Sequence, residues 1–90
     1  MAPGAKAVPW VTTEQVAAAA DVGPKTVLRW SKTGLLPPYQ VIRGGVRPRS
    51  ARWPAEAPQQ AAWVRARIDE GYSFDEILAA LARGEFKPSP

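Results

Sequence analysis

Residues 11–38, VTTEQVAAAADVGPKTVLRWSKTGLLPP, decide the fold, because two short helices and the junction between them can be recognised there. Thr12 is a helix-capping residue, and Gln15 three positions later completes a capping box, in which two otherwise unpaired backbone N–H groups are satisfied reciprocally. Val16, Ala19 and Ala20 supply a narrow apolar face that suits close packing against a neighbouring helix. Asp21-Val22-Gly23 break the helix. Pro24 is placed to open a second helix, at a first position where its missing N–H costs nothing. That helix is expected over residues 24–32, with Thr33-Gly34 ending it by offering a left-handed position. Two short helices joined by a three-residue turn containing glycine form a helix-turn-helix signature.

The second helix divides cleanly when each residue is rotated by about 100°. Lys25, Arg29 and Lys32 fall on one side and Val27 and Trp30 on the other, so one face can be buried and the other presented. Thr26 lies between the two faces, near the N-terminal end by which recognition helices approach base edges. A helix of this form suits the major groove, where Arg and Lys read guanine and also reach phosphates.

Working outward, residues 35–54 read LLPPYQVIRGGVRPRSARWP. Tyr39 to Arg43 favour a strand, Gly44-Gly45 are a two-residue hairpin turn, and Val46 begins the return. Pro48 confines the return strand to an edge. A hairpin directly after a helix-turn-helix is a wing. This wing, residues 41–52, carries Arg43, Arg47, Arg49 and Arg52 with no acid among them, which suits phosphates or a narrow minor groove.

A third helix is expected from Pro54 or Pro58, with Ala57, Ala61, Val64 and Ile68 at helical spacing, ending at Gly71. A fourth starts at Ser73, where Glu76 closes a second capping box, and carries Phe74, Ile77, Leu78 and Leu81 as its apolar stripe before Gly84. Trp30 and Trp63 lie on apolar helical faces and belong to the core; Trp53 follows the wing and anchors it; Trp10 is placed to staple the leader. None of the tryptophans is expected to touch a ligand. The expected fold is therefore mainly α: a winged helix-turn-helix of four helices with a two-stranded β-hairpin wing. Residues 1–9 form a disordered leader, residues 10–84 the winged-helix domain and residues 85–90 a disordered tail.

Composition narrows the function. Ninety residues allow one small domain, and the chain has no cysteine or histidine, so no disulfide framework or zinc finger can staple it. Nine basic residues and one acid lie between Lys25 and Arg67, a net +8, whereas the remainder carries three basic and seven acidic residues, a net −4. That asymmetry is the electrostatic footprint of a polyanion binder. No apolar stretch approaches the roughly 18 residues of a membrane span, and MAPGAKAVP lacks the apolar segment of a signal peptide, which points to the cytoplasm. Catalysis has little to work with. Asp75 and Glu76 are neighbours on a helix, point about 100° apart, and suit first-turn charges favoured by the helix dipole.

The stretch 11–38 also resembles the start of the MerR superfamily, whose helix-turn-helix passes through a Gly-Leu-Leu-Pro-like step into its wing. GYSFDEILAAL, residues 71–81, resembles the family's second helical pair. The resemblance covers about Val11 to Ala82 and implies a winged-helix fold, with DNA contacts from Lys25, Thr26, Arg29, Arg43 and Arg47 and an aromatic after the wing at Trp53. It departs from the family in stopping near Pro90, without the long dimerisation helix and effector domain, and in the interruptions at Pro48, Pro54 and Pro58. In length it looks closer to short, sensor-free members and to phage excisionase-like proteins.

The expectation is a non-enzymatic, sequence-preferring protein for double-stranded DNA, a transcriptional regulator of a bacterial nucleoid or a phage. Its binding set is Lys25, Thr26, Arg29 and Lys32 with Arg43, Arg47, Arg49 and Arg52. No cofactor, metal, membrane or small-molecule effector is expected. Further copies on DNA, or a partner protein, are, with a monomer in free solution. The alternatives are a protein-interaction adaptor or antirepressor, and a phage excisionase or DNA-packaging factor.

Overall fold

The computed structural model describes residues 10–44 and 47–88, and between residues 42 and 50 the backbone alone. The expected leader at 1–9, the end of the tail at Ser89-Pro90, Gly45 of the expected turn and Val46 at the start of the expected return strand lie outside the described residues. In chain order the elements are β1 (Trp10–Val11), α1 (Thr13–Ala20), α2 (Pro24–Thr33), β2 (Gln40–Gly44), β3 (Arg47–Pro54), α3 (Ala57–Asp69) and α4 (Phe74–Ala82). The protein is mainly helical, with four helices and a three-stranded antiparallel sheet of order β1-β3-β2 among the described residues.

Both expected capping boxes form. The Thr12 hydroxyl accepts from the Gln15 backbone and the Gln15 side chain accepts from the Thr12 N–H, and Ser73 and Glu76 repeat the arrangement at α4. The α1 face differs by one residue from the expected one. Val16, Ala17 and Ala20 are buried, while Ala19 is exposed, so the helix is rotated towards its i, i+1, i+4 set. At α4, Ile77 and Ala80 are buried, whereas Phe74 at its first turn is 42 % exposed. The Phe74 expectation fails because the first residue of α4 lies beyond the edge of the core.

The junction of α1 and α2 spans Asp21–Gly23, as read from the sequence. Its left-handed residue, however, is Asp21 (φ 56°), while Gly23 is extended (φ −80°) and serves as the α2 N-cap. Asp tolerates this conformation better than most residues, and the Val22 N–H closes back on the Ala17 carbonyl at 3.0 Å. At the far end of α2 the same closure uses Gly34 (φ 92°), and the Leu35 N–H reaches the Trp30 carbonyl at 2.9 Å. Leu35 and Leu36 are thereby turned into the core, and the Gln60 side chain of α3 donates to the Leu35 carbonyl at 2.8 Å.

The sheet corrects two expectations. A third strand, β1, joins the expected hairpin, with Trp10 opposite Pro54 and Val11 opposite Trp53. The hairpin closes with Gly44 paired to Arg47, so Gly44 is the last residue of β2 rather than half of the turn. Pro48 is accommodated by a bulge: between the pairs Ile42–Ser50 and Gly44–Arg47, β2 has one residue and β3 has two. A bulge leaves a ladder position open, which a residue without an N–H can fill. β3 is the middle strand of the order, but it pairs with β2 over residues 47–52 and with β1 only at residues 53–54. α3 begins at Ala57 with Pro58 in its first turn, which settles the start between the two expected prolines.

The core gathers Val16, Val27, Trp30, Leu35, Trp53, Ala61, Val64 and Ile77. Trp53 is fully buried, stacks on Tyr39 at 4.6 Å between ring centroids, and donates its indole N–H to the Thr13 hydroxyl at 2.8 Å. That single side chain joins β3, the approach to β2 and the start of α1. Trp63 is only half-buried and lies against Phe86 (5.8 Å), in the segment read from sequence as a tail.

Candidate nucleic-acid interface

α2 is amphipathic for a local reason and is held for a non-local one. Val27 and Trp30 are 0 % and 3 % exposed, while Lys25, Arg29 and Lys32 are all exposed and Thr26 is half-buried. Burying a tryptophan and a valine fixes the rotation of the helix, since turning it would expose the former and bury cations at large cost. The Thr33 hydroxyl donates to the Trp30 carbonyl and the Ser31 hydroxyl to that of Pro37, so the last turn of α2 and the chain leaving it are tied together. The exposed face is therefore a row of three cations on an anchored helix, with the half-buried Thr26 at its N-terminal end.

The α2 cations are free of acids. The ion pairs among the described residues are Arg65–Asp69, Arg67–Glu70 and Arg83–Glu85. Every Asp and Glu of the chain is a described residue, so Lys25, Arg29 and Lys32 have no side-chain carboxylate within 4.0 Å.

Two residues of the basic central segment are used otherwise. Arg65 donates to the carbonyl of Asp21 at 3.1 Å and, more weakly, to that of Ala20 at 3.5 Å, while its Nε bonds Asp69 at 3.1 Å. It caps the C-terminal end of α1 from α3, where a cation meets the negative end of the helix dipole. Arg67 bonds Glu70 at 2.8 Å and lies over the rings of Trp63 and Tyr72. The carbonyls that hold Arg65 could not be found from local sequence, because they lie more than forty residues away, whereas the partners of Arg67 are all close in the chain.

The β2–β3 hairpin stands beside α2. Pro24 and Leu28 of α2, Val41 of β2 and Ala51 of β3 line a groove of about 540 Å³, in which Glu14 is the acidic member. Val41 pairs with Ala51, so this is the hairpin's inner face. Of the wing residues read from sequence, Arg52 is exposed at the base of the hairpin, with its guanidinium 4.6 Å over the Trp10 ring. Arg43, Arg47 and Arg49 have their backbone in β2 and β3; their side chains lie outside the described residues. Among the described residues no helix is long and apolar enough to cross a membrane. No family model matches the chain, and neither a curated protein nor a solved structure matches it.

Proposed function

We propose that the chain binds double-stranded DNA as a winged helix-turn-helix module, with α2 as recognition helix in the major groove and the β2–β3 hairpin as wing. One observation carries the proposal: α2 presents Lys25, Arg29 and Lys32 together, unpaired by any acid, on a helix whose other face is anchored by Val27 and Trp30. A helix fits the major groove, phosphates take the flanking cations, and an arginine can read guanine through a bidentate pair. The Arg-rich strands β2 and β3 supply a second basic element for the backbone or minor groove. The resemblance of residues 11–38 and 71–81 supports reading the chain as a MerR-like or excisionase-like regulator without a catalytic role.

Selection of bound sequences from a random duplex pool tests the proposal. The wild-type protein should enrich a motif that contains guanine, and Arg29→Ala should lose preference at one guanine position at a cost of about 1–3 kcal/mol. An unchanged preference profile in Arg29→Ala would remove α2 as the recognition helix. A pool without enrichment, together with capture of an acidic protein by the same face, would favour the adaptor reading.

A further inference from the structure

The outer face of the hairpin carries a second arrangement, separate from α2. Gln40 pairs with Arg52 across the two strands, so their side chains stand on one face of the sheet, opposite to the Val41–Ala51 face that lines the groove beside α2. Trp10 pairs with Pro54, two residues from Arg52, and so joins Gln40 and Arg52 on that outer face. The Arg52 guanidinium lies 4.6 Å from the centroid of the Trp10 ring. Gln40 and Arg52 are exposed and Trp10 is half-buried. An open notch of about 400 Å³ lies among Trp10, Tyr39, Gln40 and Arg52. No side-chain carboxylate pairs with Arg52, since the chain's acids are all described and its ion pairs engage Arg65, Arg67 and Arg83.

We propose that Arg52 and Gln40 form a clamp for a phosphate chain, with Trp10 as the positioning residue that holds the guanidinium in its plane. The clamp rests on the DNA-binding reading for its natural ligand. A ring contact restrains a long, rotamer-rich side chain before binding, which lowers the entropy lost when the contact forms. Arg52 is exposed, and a guanidinium can match two phosphate oxygens at once. The Gln40 amide alongside offers neutral donors to a neighbouring oxygen. Because this face is turned away from α2, the clamp would take a phosphate that the recognition helix cannot reach. A staple between β1 and β3, the competing explanation of the pair, would influence stability and leave anion binding untouched.

The test titrates the full chain with two probes, a random-sequence duplex and inorganic polyphosphate, following affinity and tryptophan emission, with folding checked by far-ultraviolet circular dichroism. Arg52→Ala and Arg52→Lys should weaken both probes by about three- to tenfold. Trp10→Ala should weaken them by about two- to fivefold, and should add little in the Arg52→Ala background. Trp10→Phe should restore affinity while abolishing the emission change that the probe causes. Unchanged affinity in folded Trp10→Ala, or independent effects of Trp10→Ala and Arg52→Ala, would overturn the clamp and leave the DNA reading standing. Binding of polyphosphate with these variant effects, but not of duplex, would uphold the clamp and overturn the DNA reading. Binding of neither probe would overturn both.

Discussion

Thr13→Val probes the contact that fixes the hairpin to the helices. Its hydroxyl accepts the indole N–H of Trp53 at 2.8 Å, and Trp53 is fully buried. Valine keeps nearly the shape of threonine but has no acceptor, so the indole donor would remain out of water without a partner. A buried unsatisfied donor costs about 1–3 kcal/mol, and the half-buried position of Thr13 favours the lower half of that range. Valine at the start of a helix changes propensity by only a few tenths of a kcal/mol. In a domain of this size each kcal/mol shifts the melting midpoint by about 4–8 °C, so the expected fall is about 4–16 °C. Thermal unfolding followed by circular dichroism measures it. Trp53→Phe removes the donor as well as volume, and in that background Thr13→Val should become nearly neutral, a coupling of about 1–2 kcal/mol. An unchanged midpoint in Thr13→Val, or additive effects in the double variant, would mean that the Thr13–Trp53 hydrogen bond does not hold the hairpin to the helices.

Arg65→Ala should lower stability by about 1 kcal/mol, since it removes a cation from the C-terminal end of α1 and a partly exposed ion pair. Its duplex affinity at a temperature where it remains folded should equal that of the wild type, because its guanidinium is already engaged. Gly34→Ala should cost about 1–2 kcal/mol by urea unfolding, as an L-residue is strained at φ 92° and its Cβ would meet Leu78 Cδ2 at 3.4 Å.

What the sequence made legible was local. Thr12 with Gln15 and Ser73 with Glu76 declare two helix starts because each box is complete within four residues. The division of α2 into Val27–Trp30 and Lys25–Arg29–Lys32 faces follows from helical periodicity, and the structure buries and exposes the same residues. The face of α1 was less legible: in a run of four alanines, periodicity barely distinguishes Ala17 from Ala19. What was hidden depends on partners distant in the chain. β1 is two residues long and becomes a strand only through pairing with Trp53 and Pro54. Arg65 looks like any other cation of the basic segment until α3 packs on the end of α1. Trp10 is an isolated aromatic in the sequence, and its meaning comes from Arg52 forty-two positions later.

The salt dependence of binding to a random-sequence duplex tests DNA binding by α2 and the hairpin. Arg65 and Arg67 are committed to intramolecular partners, whereas Lys25, Arg29, Lys32 and Arg52 have no carboxylate partner among the described residues. Neutralising about four to six phosphates gives a plot of log K against log salt with a slope of roughly −4 to −5. That slope should be unchanged in Arg65→Ala and shallower by about 1 in Lys32→Ala. A slope near zero, or no duplex binding at low salt, would contradict DNA binding by these elements.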